Sequence, residues 1–102
     1  FAMDLDNNRL YIGKNGSWWT DGAGFNSANL NSYKTITRVA GDSFGFKCSS
    51  GSGTGTTSWN FGNGFFGTTA VASAGTNASN NGIFEYNVPT GYTALSTKGL
   101  NS

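Results

Sequence analysis

Histidine is absent from this sequence of 102 residues, and cysteine and proline occur once each. Without histidine, the chain lacks the commonest general base, the commonest metal ligand and the usual pH switch. A single cysteine, Cys48, cannot close an internal disulfide, which excludes a small disulfide-stapled domain. We therefore expect a protein that is not an enzyme, with no catalytic residue, no cofactor and no metal ion.

Charge is also scarce, because charged residues make up 11% of the chain and the formal net charge is +1. The six cations are scattered along the sequence, whereas nucleic-acid binding needs clustered lysine and arginine. No apolar run is long enough to cross a membrane as a helix. We expect neither a nucleic-acid partner nor insertion into a membrane.

The chain is instead rich in small polar residues and aromatics. Glycine, asparagine, serine and threonine fill more than half of the positions, and aromatic residues make up 15%. Aromatic side chains can supply a core, and the small residues suit tight turns between short strands. Since no helical period is visible, the sequence predicts an all-β protein with long Gly/Ser/Asn/Thr loops.

The first predicted hairpin lies at the N-terminus. Residues 1–5 alternate apolar and polar side chains, as a half-buried strand does. The pair Asn7-Asn8 then offers a two-residue turn. This turn predicts that Asp6 lies opposite Arg9 as a pair of opposite charges.

A second hairpin is predicted at Asn15-Gly16, a strong signal for a type I′ turn. This turn would lay Trp18 over Gly13. The two hairpins together predict a three-stranded meander over residues 1–19.

The rest of the chain is predicted to contain short strands and loops. Expected strands cover residues 34–39, 43–48, 57–61 and 83–88, and expected loops cover 20–31 (with a one-turn helix as the alternative), 49–56 and 68–81. Cys48 alternates with two phenylalanines in one of these strands, which predicts a buried thiol.

Two carboxylates are candidates for chemistry. Asp4 and Asp6 would share one strand face about 7 Å apart, within the range of a glycosidase pair. Adjacent acids on one strand cannot easily flank a substrate, so a solvated face is favoured. With Asn8 they also have calcium-loop spacing, but Arg9 and Asn15 stand where that loop needs glycine and glutamate.

Aromatic side chains beside asparagine, serine and glycine are good recognition chemistry. Most aromatics are needed in a core, so only a few are expected to bind a ligand. The polar stretch after the meander is where the chain leaves that core. We predict that ligand-binding or receptor-binding residues come from this region: Trp18, Trp19, Asp21, Phe25 and Tyr33.

Three motifs in order resemble the SPRY-domain family. Residues 4–18, DLDNNRLYIGKNGSW, are similar to the family stretch D-L-D-x-x-x-L-x-F-x-x-N-G-x-W. Residues 59–62 with Phe65-Phe66 resemble its N-F-G-x-x-x-F element, and residues 89–100 resemble the closing segment of SPRY-like proteins from bacteriophages and environmental viruses. The resemblance implies structural roles for Asp4, Asp6, Asn15, Gly16, Asn60, Phe61 and Gly62.

The resemblance covers the C-terminal half of a SPRY domain. It implies an antiparallel β-sandwich of the SPRY or concanavalin-like type, present as a partial domain. Residues 1–95 would be the SPRY-like segment, and residues 96–102 would link it to a following region. We expect upstream residues or a partner chain to cover the face that the missing strands leave open.

The resemblance further implies a non-enzymatic segment of a phage virion protein, located on the particle surface. A tail fibre, head fibre or other appendage would serve assembly or host attachment. Its partners would be other virion subunits, further copies of the chain, and a host cell-surface protein or glycan. Three alternatives stay open: a cellular SPRY module that binds a peptide, a lectin-like domain that binds or cleaves carbohydrate, and a structural spacer.

Overall fold

The computed structural model describes residues 1–49, 51–72, 75–76 and 82–95. Within these ranges the chain forms ten short β-strands and no helix, and every pair of named strands is antiparallel. The predicted all-β antiparallel class is confirmed. The same ranges accordingly contain no helix with the length and apolar character needed to span a membrane.

The chain divides into two compact units, residues 1–42 and residues 43–102. The first unit contains two three-stranded sheets, ordered β1-β2-β6 and β3-β4-β5. Ile12 separates β2 from β3, so the chain passes from one sheet to the other at this residue. The strands are β1 (Ala2–Asp4), β2 (Arg9–Tyr11), β3 (Gly13–Lys14), β4 (Ser17–Thr20), β5 (Gly24–Ser27) and β6 (Lys34–Thr35).

The first hairpin forms, but its predicted register is wrong by two residues. Asp4 lies opposite Arg9 in place of Asp6. The Asp4 carboxylate accepts hydrogen bonds from the backbone N–H of Asn7 at 3.0 Å and from its side-chain amide at 2.8 Å. This side-chain turn widens the connection to residues 5–8. A shift of two keeps each side chain on its predicted face, because the side-chain period of a strand is two.

The second turn is confirmed. Asn15 and Gly16 have φ angles of 51° and 81°, as a type I′ turn requires at its two central residues. Gly13 lies opposite Trp18, and a Cβ at Gly13 would stand 3.2 Å from the indole ring of Trp18. The indole therefore occupies the space that a side chain at Gly13 would need.

The predicted loop over residues 20–31 is wrong, because this segment contains β5, which pairs with β4. The N–H of Ala23 donates to the carbonyl of Thr20 at 3.0 Å and closes a tight turn. Gly22 and Gly24 both have a φ of 78°, which glycine adopts without steric cost. The segment is polar in composition but forms the third strand of the sheet β3-β4-β5.

The predicted strand over 34–39 is shorter than expected, since only β6 pairs with β2. The N–H of Ile36 extends the pairing by donating to the carbonyl of Asn8 at 2.8 Å. A turn then follows, closed by the N–H of Asp42, which donates to the carbonyl of Val39 at 3.0 Å.

The second unit contains two two-stranded sheets, β7 paired with β8 and β9 paired with β10. The predicted strand over 83–88 is thus shortened, and the predicted excursion over 68–81 holds two strands. The strands are β7 (Phe65–Phe66), β8 (Thr69–Ala70), β9 (Gly75–Thr76) and β10 (Ile83–Phe84). The expected linker over 96–102 lies outside the described residues.

The expected strands over 43–48 and 57–61 are not assigned as strands in the described part of these segments. Their side chains nevertheless face each other in antiparallel order. The Sγ of Cys48 and the Oγ1 of Thr57 are 3.0 Å apart, and the ring of Phe46 contacts the ring of Trp59. The predicted alternation of side chains is therefore retained without a backbone ladder.

The core is small. Among the described residues, the buried hydrophobic side chains are Ala2, Tyr11 and Ala94. Cys48, contrary to the prediction of a buried thiol, is exposed, because its neighbours Phe46 and Trp59 are themselves partly exposed and do not cover it.

Candidate functional site

The structure places all five predicted recognition residues in the first unit. Trp19 and Phe25 are cross-strand partners on β4 and β5, and such partners share one face of a sheet. Phe25 is 41% exposed. Trp18 packs its ring over Gly13 on the paired strand β3.

Ser32 connects the segment before β6 to the β4–β5 hairpin. Its N–H donates to the carbonyl of Trp19 at 3.1 Å, and its hydroxyl accepts from the N–H of Asp21 at 2.9 Å. The ammonium of Lys34 lies 4.5 Å from the centre of the Trp19 ring. A cation at this distance over an indole is attracted by the ring quadrupole. Trp19 and Asp21 thus help to position β6.

Tyr33 belongs to a different group, which we call the Arg9 cluster: Arg9, Tyr11 and Tyr33. The guanidinium carbon of Arg9 lies 4.5 Å from the centre of the Tyr33 ring. The rings of Tyr11 and Tyr33 meet edge to face, with centroids 5.8 Å apart and an interplanar angle of 62°. Tyr33 is 42% exposed, so the cluster is open to a ligand.

The register places the Lys34 side chain, which contacts Trp19, and the Arg9 cluster on opposite faces of the sheet β1-β2-β6. Leu10 pairs with Lys34, so these residues share one face. Arg9 and Tyr11, on either side of Leu10, point to the other face. The structure therefore does not bring Trp19 and Tyr33 onto one surface.

Sequence reasoning missed Arg9 and Tyr11 as candidate binding residues. Their spacing of two along β2 was visible and places them on one face. The contact with Tyr33 requires the pairing of β2 with β6, which are far apart in the sequence. No local sequence pattern predicts that pairing.

The opposite charges of Arg9 and its cross-strand neighbour Asp4 attract each other. Asp4 directs both carboxylate oxygens to Asn7. The hydrogen bonds from the Asn7 side chain and backbone hold the pKa of Asp4 below its ordinary value of 3.8. The neighbouring side chains of Tyr11 and then Tyr33 raise the pKa of Arg9 above its ordinary value. Asp4 and Arg9 are therefore both charged at neutral pH.

The Asp4 turn is expected to lose stability in acid. Because the folded pKa is depressed, the Asp4 hydrogen bonds stabilise the hairpin above pH 3.8, and this stabilisation is lost as pH falls through the folded pKa. Urea midpoints of the wild type and Asp4→Asn should differ at about pH 6 and converge at about pH 2. A difference that stays constant over this range would contradict the prediction.

The second unit carries an aromatic ladder, which is Phe46, Trp59 and Phe61. Trp59 and Phe61 are stacked, with centroids 5.9 Å apart and planes within 2°. Phe46 tilts against both, at 5.5 Å from Trp59 and 5.1 Å from Phe61. The three side chains are 44%, 37% and 41% exposed, respectively. This is a contiguous apolar surface open to solvent.

An open pocket of about 450 Å³ adjoins the ladder. The Cys48 thiol within it lies against the Thr57 hydroxyl. A nucleophilic thiol needs a base or a cation that lowers its pKa, and the sequence holds no histidine for that role. The lining residues are Cys48, Ser49, Gly55, Thr57 and Trp59.

The family-motif residue Asn60 joins two parts of the second unit. Its Oδ1 accepts from the N–H groups of Gly62 at 2.8 Å and Gly64 at 3.3 Å, and its Nδ2 donates to the carbonyl of Ile83 at 2.9 Å. The N–H of Ile83 in turn donates to the carbonyl of Gly62 at 2.9 Å. The Asn60 side chain therefore has a structural role.

Asp4 and Asp6 do not form a facing pair, since Asp4 ends β1 and Asp6 lies in the turn after it. In the part of the chain that the structure describes, no group of three or more histidine, cysteine or acidic residues is placed to hold a metal ion.

Fold and surface together define an all-β protein with two aromatic surfaces, the Arg9 cluster in one unit and the ladder in the other. The chain matches no protein-family model, no curated protein and no solved structure. The sequence motifs and the geometry are therefore the basis for a functional proposal.

Proposed function

We propose that this chain is a SPRY-like, non-enzymatic segment of a phage virion structural protein, such as a tail fibre, a head fibre or another surface appendage. It serves assembly of the particle, attachment to the host surface, or both. The complete domain is a β-sandwich of the SPRY or concanavalin-like type. Three ordered sequence motifs, an all-β antiparallel fold and exposed aromatic surfaces support this proposal.

The observation that carries the assembly role is the aromatic ladder. Its rings contact one another, yet each stays more than a third exposed. Contiguous exposed apolar patches of this kind mark interaction surfaces, and tryptophan and phenylalanine are enriched at the centres of interfaces. Symmetric homo-oligomers are the commonest assemblies of soluble chains, so the proposed partner is a further copy.

Light scattering on the full chain at several concentrations tests this role. We expect a closed oligomer in the wild type. Trp59→Ser should weaken association about tenfold or more, because buried aromatic anchors at interfaces cost at least about 1.4 kcal/mol when truncated. Phe25→Ser is the matched control, since Phe25 is 41% exposed but lies in the first unit, and it should leave the mass unchanged.

Far-UV circular dichroism and amide spectra establish that each variant is folded. A folded wild-type monomer at every concentration would remove the assembly role of the ladder. Equal weakening by Trp59→Ser and Phe25→Ser would place the contact elsewhere.

A further inference from the structure

We infer that the Arg9 cluster binds a saccharide that carries a single carboxylate, as a uronic acid does. This inference deepens the host-attachment part of the proposed function and rests on it. It is carried by the guanidinium of Arg9 over the Tyr33 ring and by the hydroxyl-bearing side chains on the same face of the sheet.

Arg9 is held in a geometry suited to a planar anion. Its guanidinium carbon stands 4.5 Å from the centre of the Tyr33 ring, and the Tyr33 ring is itself held by an edge-to-face contact with Tyr11. A guanidinium stacked on a ring keeps its N–H donors at its rim, in a fork that matches two carboxylate oxygens. Because the side chain is already ordered, binding immobilises little additional freedom.

Hydroxyl groups lie on the same face. Thr35 pairs with Arg9 across the strands, so its side chain shares the face of Arg9. Tyr33, which is exposed, brings a hydroxyl beside an apolar ring, and the buried Tyr11 packs against that ring edge to face. Hydroxyl groups that both donate and accept, set beside an exposed ring, match the alternating hydroxyl and C–H groups of a sugar.

The charge pattern limits the ligand to one negative charge. Two other cations lie near Arg9 but are engaged elsewhere: Lys34 is on the opposite face with Leu10 and contacts Trp19, and Arg38 donates to the Asn8 side chain and the Leu5 carbonyl. Asp4 lies across the strand from Arg9 and opposes additional negative charge. Polyanions such as nucleic acids need several cations, and a single cation among neutral hydroxyl groups instead fits a monoanionic, polyhydroxylated ligand.

Amide and side-chain spectra of the full chain titrated with D-glucuronate test the inference, with D-glucose as the neutral probe. We expect glucuronate to shift the resonances of Arg9, Tyr11, Tyr33 and Thr35. The affinity for glucose should be at least about tenfold weaker, because the charge-assisted bonds to Arg9 are lost. Equal binding of the two sugars, or the absence of shifts at these residues, would overturn the inference.

Matched variants separate the site from general charge effects. Arg9→Gln should weaken glucuronate binding about tenfold or more. Lys34→Gln removes the same charge from the opposite face and should leave the affinity unchanged. Arg9→Lys keeps the charge but loses the planar fork, so binding should also fall.

Four results would count against the site. Equal losses in Arg9→Gln and Lys34→Gln would show attraction by net charge alone. Unchanged binding in a folded Arg9→Gln would place the ligand elsewhere. Tighter binding of a glutamate-containing tripeptide than of glucuronate would assign the cluster to acidic peptides. If the wild type forms the oligomer but does not bind glucuronate, only this inference fails, because oligomer formation is an independent test of the aromatic ladder.

Discussion

Replacing Gly82 by alanine is expected to lower the free energy of unfolding of the second unit by about 2 kcal/mol, as overpacking of a tight contact does. A Cβ at Gly82 would stand 2.8 Å from the Cβ of Ala94 and 2.8 Å from Cε2 of Phe84. The Phe84 ring can rotate away. The Ala94 Cβ is bonded directly to the backbone of a buried residue, so the backbone itself must move.

The double variant Gly82→Ala with Ala94→Gly tests the cause of this effect. Because it removes the closest fixed atom, it should be less destabilised than the sum of the single variants. Gly45→Ala is the matched control, since a Cβ there meets nothing within 4 Å. Urea unfolding followed by amide resonances of the second unit gives the free energies. Equal effects of Gly82→Ala and Gly45→Ala would contradict the prediction.

Replacing Asn60 by alanine is expected to destabilise the second unit by about 2–3 kcal/mol, since three hydrogen bonds of about 1 kcal/mol net each are lost. Two of these bonds are accepted from the N–H groups of Gly62 and Gly64, and one is donated to the carbonyl of Ile83. Gly64 is buried, so its N–H would lose a partner where water enters poorly.

Two further substitutions show how the Asn60 side chain acts. Asn60→Asp keeps both acceptor bonds but sets a carboxylate oxygen against the carbonyl of Ile83, so it should recover only part of the loss. Asn63→Ala is the control, because Asn63 is exposed and accepts one bond, from the N–H of Phe65 at 3.2 Å. Amide exchange at Gly62, Gly64 and Ile83 should accelerate in Asn60→Ala. Unchanged exchange there would contradict the assigned role.

The hydrogen bonds of Asn60 also bear on the proposed function. Phe61 of the aromatic ladder stands between Asn60 and Gly62, the residues that the hydrogen bonds hold in place. Asn60→Ala is therefore expected to weaken oligomer formation although Asn60 is not part of the ladder. The segment 60–62 thus contributes to the surface indirectly, by fixing the backbone that carries Phe61.

Turn chemistry explains which local features were predictable. Asn15-Gly16 fixes its turn because both residues adopt positive φ readily. The first hairpin was predicted on the correct faces but in the wrong register, since the Asp4 side chain offered the backbone a different turn. A sequence pattern with a period of two cannot separate these two registers, because both place each side chain on the same face.

The amino-acid sequence by itself determined the all-β class, the type I′ turn, and the side chains that share a face along each strand, because these depend on residues within a few positions of one another. The tertiary structure alone decided the strand at residues 24–27, the exposure of Cys48 and the meeting of Arg9 with Tyr33. Each of these depends on which distant strands pair and on what covers them. Such pairings are selected by the summed packing of the whole unit, which no local pattern contains.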